Sequence, residues 1–182
     1  MKGELARLMA QFPRAGVLQW IGIRPQRREA LLALTHVEVI AGSGLAGDHY
    51  ALKNDGKRQV TLIQQEHLDV VAKMLGSSEV LPGTVRRNLV VSGINLYALR
   101  NMQFRIGSVL LEGTGPCEPC SRMEEVLGTG GYNAMRGHGG ITARVIQGGE
   151  LCIFDRVEAA LPDQITPDSI TLAIPCTAPE VK

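Results

Sequence analysis

Short, β-branched apolar runs separated by Gly, Pro and Asn constrain this chain more than any other feature. GVLQWIGI (16–23), LTHVEVI (34–40), RQVTLI (58–63), NLVV (88–91), FRIGSVLL (104–111), ITARVI (141–146) and ELCIFD (150–155) each have the length and composition of a strand. Seven such runs imply a mainly β protein, a barrel or a sandwich. Twenty-one glycines and an aromatic content of 4% fit tight turns around a core of Val, Ile and Leu. QQEHLDVVAKML (64–75) is different. Leu68, Val71, Ala72 and Leu75 recur at i, i+3, i+4 and i+7, and Gly76 follows as a stop, so the spacing predicts an amphipathic helix packed on the sheet. ELARLMAQF near the start is a weaker helix, and SRMEEVL (121–127) a short one ended by Gly128.

A chain of 182 residues with 45% hydrophobic composition can bury one core, so a single domain is expected, with its centre at about 16–155 and a wrapping segment over 156–182. Four of the nine prolines lie in the last 21 residues, where Thr166-Pro167 offers one helical start. Nineteen basic residues nearly balance eighteen acidic ones, which argues against nucleic acid or an anionic membrane as partner and for a small anion held locally. MKGELARLMAQF carries Glu4 and Arg7 where a signal peptide needs an apolar stretch, and no run approaches the roughly 20 residues of a span. A cytoplasmic location is expected, with its four cysteines reduced.

GPCEPCSRMEE (115–125) concentrates the chemistry, since Cys117 and Cys120 stand three apart before a helix. A structural zinc site needs a second pair of ligands. Cys152 and Cys176 are isolated, and His36, His49, His67 and His138 form no HxxxH-type pair. A thioredoxin-like dithiol needs a βαβ surround, and the strands here lack crossover helices. Ser121 and Glu124 have capping-box spacing, which would make Ser121 the N-cap and set Cys120 beside the positive end of the helix with Arg122 near. Such a thiol suits a soft-metal ligand or a nucleophile. Two small buried cysteines at a turn are the plainer alternative.

Three basic patches accompany it. GTGGYNAMRGHGG (128–140) embeds Arg136 and His138 among six glycines and leads into the strand bearing Arg144. Its amides and guanidinium suit a phosphate, although it has neither P-loop nor Rossmann spacing and is equally readable as an empty mobile loop. Arg86 and Arg87 precede NLVV; strand alternation would send one toward a site and the other to solvent. In GSGLAGDHYALKNDGKRQVTLI (42–63), Asp48, His49 and Arg58 are candidates to line a cleft, with turn closure the plainer role for Asp48.

GLAGDHY, RQVTLIQQEHL, GTVRRNLVVSGINLYAL, FRIGSVLLEGTGPCEPCSRMEE and GGITARVIQGGEL, in this order, resemble the MOSC domain, the family named for the C-terminal part of molybdenum cofactor sulfurases. The likeness runs from about residue 16 to 155 and is nearest to small stand-alone bacterial members. It implies a closed, mostly antiparallel β-barrel with a few peripheral helices. The family block TGxxxPC falls on TGPCEPC, which assigns the functional sulfur to Cys120 and leaves Cys117 outside the pattern. The resemblance implies that Cys120 ligates molybdenum in a bound molybdenum cofactor (a molybdopterin), with Arg58, Arg86, Arg87, Asn88, Arg122, Arg136, His138 and Arg144 as the pool for pterin and phosphate contacts. Reduction of N-hydroxylated small molecules would then need an electron-donor protein. Alternatively Cys120 carries a persulfide from a cysteine desulfurase, pyridoxal phosphate entering only through that partner. A non-enzymatic barrel binding an anion or a partner is the third alternative. Cys117, as a departure, suits a disulfide or polysulfide with Cys120.

Overall fold

The structure, a computed structural model, describes residues 2–52 and 56–160. Eleven strands are present among them: β1 (Gly16–Ile23), β2 (Leu32–Leu34), β3 (His36–Ile40), β4 (Gly44–Leu45), β5 (Val60–Gln64), β6 (Leu89–Ser92), β7 (Gln103–Ile106), β8 (Val109–Pro116), β9 (Ile141–Gln147), β10 (Gly149–Cys152) and β11 (Arg156–Ala159). Four α-helices accompany them: α1 (Lys2–Met9), α2 (Gln65–Leu75), α3 (Ser121–Leu127) and α4 (Gly131–Met135).

Strands β11, β7, β8, β9, β5, β6 and β1 are hydrogen-bonded in that order, and β11 pairs back onto β1, with Val157 opposite Gly16. The result is a closed seven-stranded barrel. All of its pairings are antiparallel except β5 with β6, where Leu62 lies beside Leu89. A parallel pair needs a crossover, and α2 supplies it. One crossover helix therefore exists where the sequence suggested none. β10, β3 and β4 form a separate three-stranded sheet, and β2 extends β1 outside the closure.

Alternation explains both cores. Leu62, Leu89 and Val91 point inward with Leu18, Ile21, Phe104, Ile106, Leu111, Ala143 and Val157, all essentially inaccessible. Their neighbours Ile63 and Val90 point outward into a second cluster with Leu68 and Val71 of α2, Val85, Met123 of α3 and Met135 of α4. β5 and β6 are thus covered on both faces, which is why apolar residues adjoin in Leu62-Ile63 and in Leu89-Val90-Val91. Each fully buried Leu, Ile or Val in these layers contributes about 1.5–3 kcal/mol of transfer free energy. The helical spacing expected over 64–75 is realised in α2, whose C-cap Gly76 takes the left-handed conformation (φ 67°) and donates to the Lys73 and Ala72 carbonyls.

FRIGSVLL is the hairpin of β7 and β8, and LTHVEVI divides at Thr35 into the end of β2 and β3. β11 closes the barrel at 156–159, within the stretch expected to wrap. The Thr166-Pro167 start lies outside the described residues. Among the described residues, no helix is long and apolar enough to cross a membrane.

Candidate functional site

One end of the barrel opens into a cleft of about 240 Å³ lined by arginines. Four segments build it: Arg24 just past β1, Asp48 to Tyr50, the start of β5 with Arg58, Gln59 and Thr61, and Arg86 to Asn88 leading into β6. Cys120 and Met123 at the beginning of α3 complete the rim.

Asp48 organises the floor. Its Oδ2 accepts from the Arg24 amide at 2.9 Å and from Asn88 Nδ2 at 3.1 Å, and its Oδ1 accepts from the Tyr50 amide at 2.9 Å. The turn closure expected of it is therefore part of its work; the rest ties β1 to β6. Asn88 is used completely: Oδ1 accepts from the Thr61 amide and hydroxyl, and Nδ2 also donates to the Gly22 carbonyl. It braces three strands. His49 Nδ1 lies 3.0 Å from the Arg24 carbonyl and 3.5 Å from Asp48 Oδ1.

Arg86 and Arg87 both reach the cleft, against the alternation expected of a strand. Arg86 has φ 60°, and this left-handed residue cancels the side-to-side step. Arg87 is 4% exposed, and its guanidinium donates to three carbonyls: Gly139 from Nε at 2.8 Å, Val85 from Nη1 at 2.8 Å and Cys117 from Nη2 at 3.1 Å. Burial lowers its proton affinity, and the neighbouring Cys117 sulfur opposes that shift. Arg24 is buried without such recompense. Its Nε has no hydrogen-bond partner, and burial, then the charge on Arg86, lower its pKa while Asp48 raises it.

The two free thiols among the described residues differ sharply. Cys117 is 1% exposed and its Sγ accepts from Arg58 Nη2 at 3.2 Å. Cys120 is exposed on the rim. The helix cap is displaced from expectation: Cys120, with extended backbone (φ −120°, ψ 171°), is the N-cap and Ser121 the first helical residue. No side-chain cap bond is made there, so the sulfur is not used by the helix. Glu124 turns away from Ser121 and accepts from the Gly130 and Tyr132 amides at 2.8 and 2.9 Å. Two of the amides that sequence offered to a phosphate are thus occupied by a carboxylate of the chain itself.

Of the residues singled out in sequence, the cleft brings together Cys120, Arg58, Arg86, Arg87 and Asn88, with Asp48 and His49. Arg122 pairs with Glu125 at 3.1 Å, exposed Arg136 caps the end of α4, and Arg144 pairs with Glu112 on the outer wall. His138 packs edge-on against His67 of α2, ring centroids 4.9 Å apart. None of these four lines the cleft. Arg24, Tyr50, Gln59, Thr61 and Met123 were not anticipated; for Arg24 the signal was a charge directly behind the apolar run IGI. Among the described residues no group of three or more His, Cys, Asp and Glu side chains converges as a metal cage.

Solved structures share the architecture. The YuaD protein of Bacillus subtilis aligns with TM-score 0.67 and 18% identity over 81% of this chain and 97% of its own. YiiM of Geobacillus stearothermophilus aligns at 0.65 and 16% (80% and 75%), and YiiM of Escherichia coli at 0.62 and 18% (80% and 70%). At these identities the likeness concerns the fold. No curated protein matches the chain in sequence. The family model described as the MOSC domain matches residues 36–158, a span that contains β3 to β10 and every cleft residue except Arg24. The chain belongs to the MOSC domain family.

Proposed function

We propose that the cleft holds a molybdenum cofactor, with Cys120 as the protein ligand to the metal and Arg24, Arg58 and Arg86 receiving the phosphate and pterin. Arg24 carries this reading: a buried guanidinium whose Nε has no hydrogen-bond partner belongs to a lining with four arginines against the single carboxylate of Asp48. Leaving such a donor unmatched costs on the order of 1–3 kcal/mol, which an acceptor on an anionic ligand would recover. Guanidinium groups match phosphate oxygens in paired geometry. Arg87 and Asn88 belong to the same lining, but their polar atoms are already engaged, so their part is to hold its shape.

The donor set suits the group. An exposed soft sulfur is an appropriate ligand for molybdenum, and a single protein ligand is sufficient when the cofactor brings its own sulfurs. When bound, such a group supplies two-electron redox chemistry and removal of oxygen from N-hydroxylated small molecules. The residues of this chain bind, orient and neutralise it; electrons come from a separate donor protein. The test is molybdenum per chain in protein purified from cells that make the cofactor. Near-stoichiometric metal in the wild type and its loss in Cys120→Ala are expected; equal and negligible metal in both overturns the reading.

The exposure of Cys120 on the rim also favours a second reading, a sulfur carrier loaded by a pyridoxal-phosphate-dependent cysteine desulfurase. It predicts cyanide-labile sulfur on the peptide containing Cys120, a mass increase of one sulfur atom, abolished in Cys120→Ala. Anion binding indifferent to thiol alkylation, without metal or labile sulfur, would leave the non-enzymatic barrel.

A further inference from the structure

Neither reading uses Cys117, whose surroundings are specific. Its backbone is held on both sides: the amide donates to the Gly140 carbonyl at 2.9 Å, and the carbonyl accepts from Arg87. Its sulfur, though 1% exposed, receives a charged donor from Arg58, and Arg58 lines the same cleft as Cys120. An inert core cysteine has apolar neighbours and no such donor. Only Glu118 and Pro119 separate the two thiols, and among the described residues no backbone hydrogen bond engages either of them. Pro119 fixes its own φ and the Met123 amide holds the Cys120 carbonyl, so the requirement that bridged cysteines bring their Cα atoms within about 7 Å falls on the backbone about Glu118 and on the two cysteine side chains.

We propose that Cys117 and Cys120 form a reversible dithiol–disulfide couple, with exposed Cys120 as the thiol that meets the oxidant and Cys117 as the resolving thiol. The oxidant class is a low-molecular-weight disulfide such as oxidised glutathione. The Cys120 sulfur, releasing its proton to water, attacks one sulfur of that disulfide; the bond between its two sulfurs breaks and one small thiol leaves. The Cys117 sulfur, likewise deprotonated, then attacks Cys120 Sγ, the mixed disulfide breaks and the second small thiol leaves. Two protein thiols are oxidised and the small disulfide is reduced to two thiols. The consequence rests on the reading of Cys120 as metal ligand or sulfur carrier: oxidation withdraws the rim sulfur from either duty, and reduction restores it.

The test incubates the full chain in graded ratios of oxidised to reduced glutathione, quenches with acid, alkylates, digests without reduction and maps peptides by mass. In the wild type, rising oxidant should give a peptide bridged between Cys117 and Cys120, lighter than its reduced form by two hydrogens and reversed by excess reduced glutathione. Cys117→Ser should stop at a glutathione adduct on Cys120. A wild-type adduct on Cys120 as persistent as that of the variant overturns the proposal, as does a Cys117 that stays free of the bridge at every ratio. The wild-type map decides the question if the variant fails to fold. Molybdenum content plays no part in this readout, so the couple and the cofactor reading fail separately.

Discussion

Arg87 donates from Nε to the carbonyl oxygen of Gly139 at 2.8 Å, across 52 residues of sequence. The same guanidinium holds Val85 and Cys117, so one buried cation fastens the approach to β6, the thiol segment and the start of β9 together. Arg87→Met removes the charge and strands three carbonyls. Relief of the buried charge offsets part of that loss, leaving an expected destabilisation of about 3 kcal/mol. Urea unfolding followed through Trp20, the one tryptophan in the chain, measures it. Arg87→Lys should recover less than half, because an ammonium cannot span the fork.

Two glycines of the 128–140 segment separate conformational strain from close approach. Gly137 (φ 77°) has open space where a Cβ would be, so Gly137→Ala should cost about 1 kcal/mol for the left-handed backbone alone. Gly140 (φ 83°) would set its Cβ 1.9 Å from the Leu62 carbonyl oxygen, and the backbone of β5 cannot yield cheaply. Gly140→Ala should cost about 4 kcal/mol by the same measurement.

Glu124 is held below the ordinary glutamate value of 4.5 by the Tyr132 and Gly130 amides. A carboxylate with a depressed folded-state pKa contributes stability that is present above its unfolded value and lost as pH falls through the folded one. Wild type should therefore be more stable than Glu124→Gln at neutral pH. The gap should narrow as pH falls below about 4.5 and vanish at lower pH. Thermal midpoints of the pair across an acid series read it directly.

The strands were readable where apolar residues adjoin, most clearly in Leu62-Ile63 and Leu89-Val90-Val91, whose two faces are both covered. β11 was not: in Arg156-Val157-Glu158 only Val157 points inward, and no turn signal divides it from ELCIFD. The same contrast holds at the site. A thiol beside prolines and a pair of adjacent arginines are rare enough in sequence to be noticed. Arg24 precedes PQRRE and reads as one more solvated charge; its burial follows from its own amide reaching Asp48, 24 residues later. Ser121 and Glu124 had capping-box spacing, but spacing does not reveal that the Gly130 and Tyr132 amides compete for the same carboxylate. Local pattern locates elements, whereas the partner of a polar group is decided by chain segments that pattern does not relate.

His67 illustrates a coupling of that kind with its own pH signature. Burial, then the charge of His138, lower its pKa from the ordinary 6.5, with Glu66 opposing. The unfolded chain binds this proton more readily than the folded one, so the stability His67 confers is present above 6.5 and lost as pH falls through the depressed folded value. His67→Phe keeps the edge-on ring contact and removes the titration. Between about pH 8 and pH 5 its stability should decline less than that of the wild type, as urea midpoints will report.

Arg24 tests whether the cleft trades stability for binding. Its guanidinium is costly in the free protein, with Nε unmatched and Arg86 close by, while the backbone amide that meets Asp48 is retained when methionine replaces the residue. Arg24→Met should leave the urea midpoint unchanged or raised, and should weaken binding of inorganic phosphate, measured by calorimetry at low salt, about tenfold. Affinity must fall without a loss of stability if the charge is there for a ligand. A variant that loses stability and keeps its phosphate affinity would make Arg24 a structural residue and move the anion site to Arg58 and Arg86.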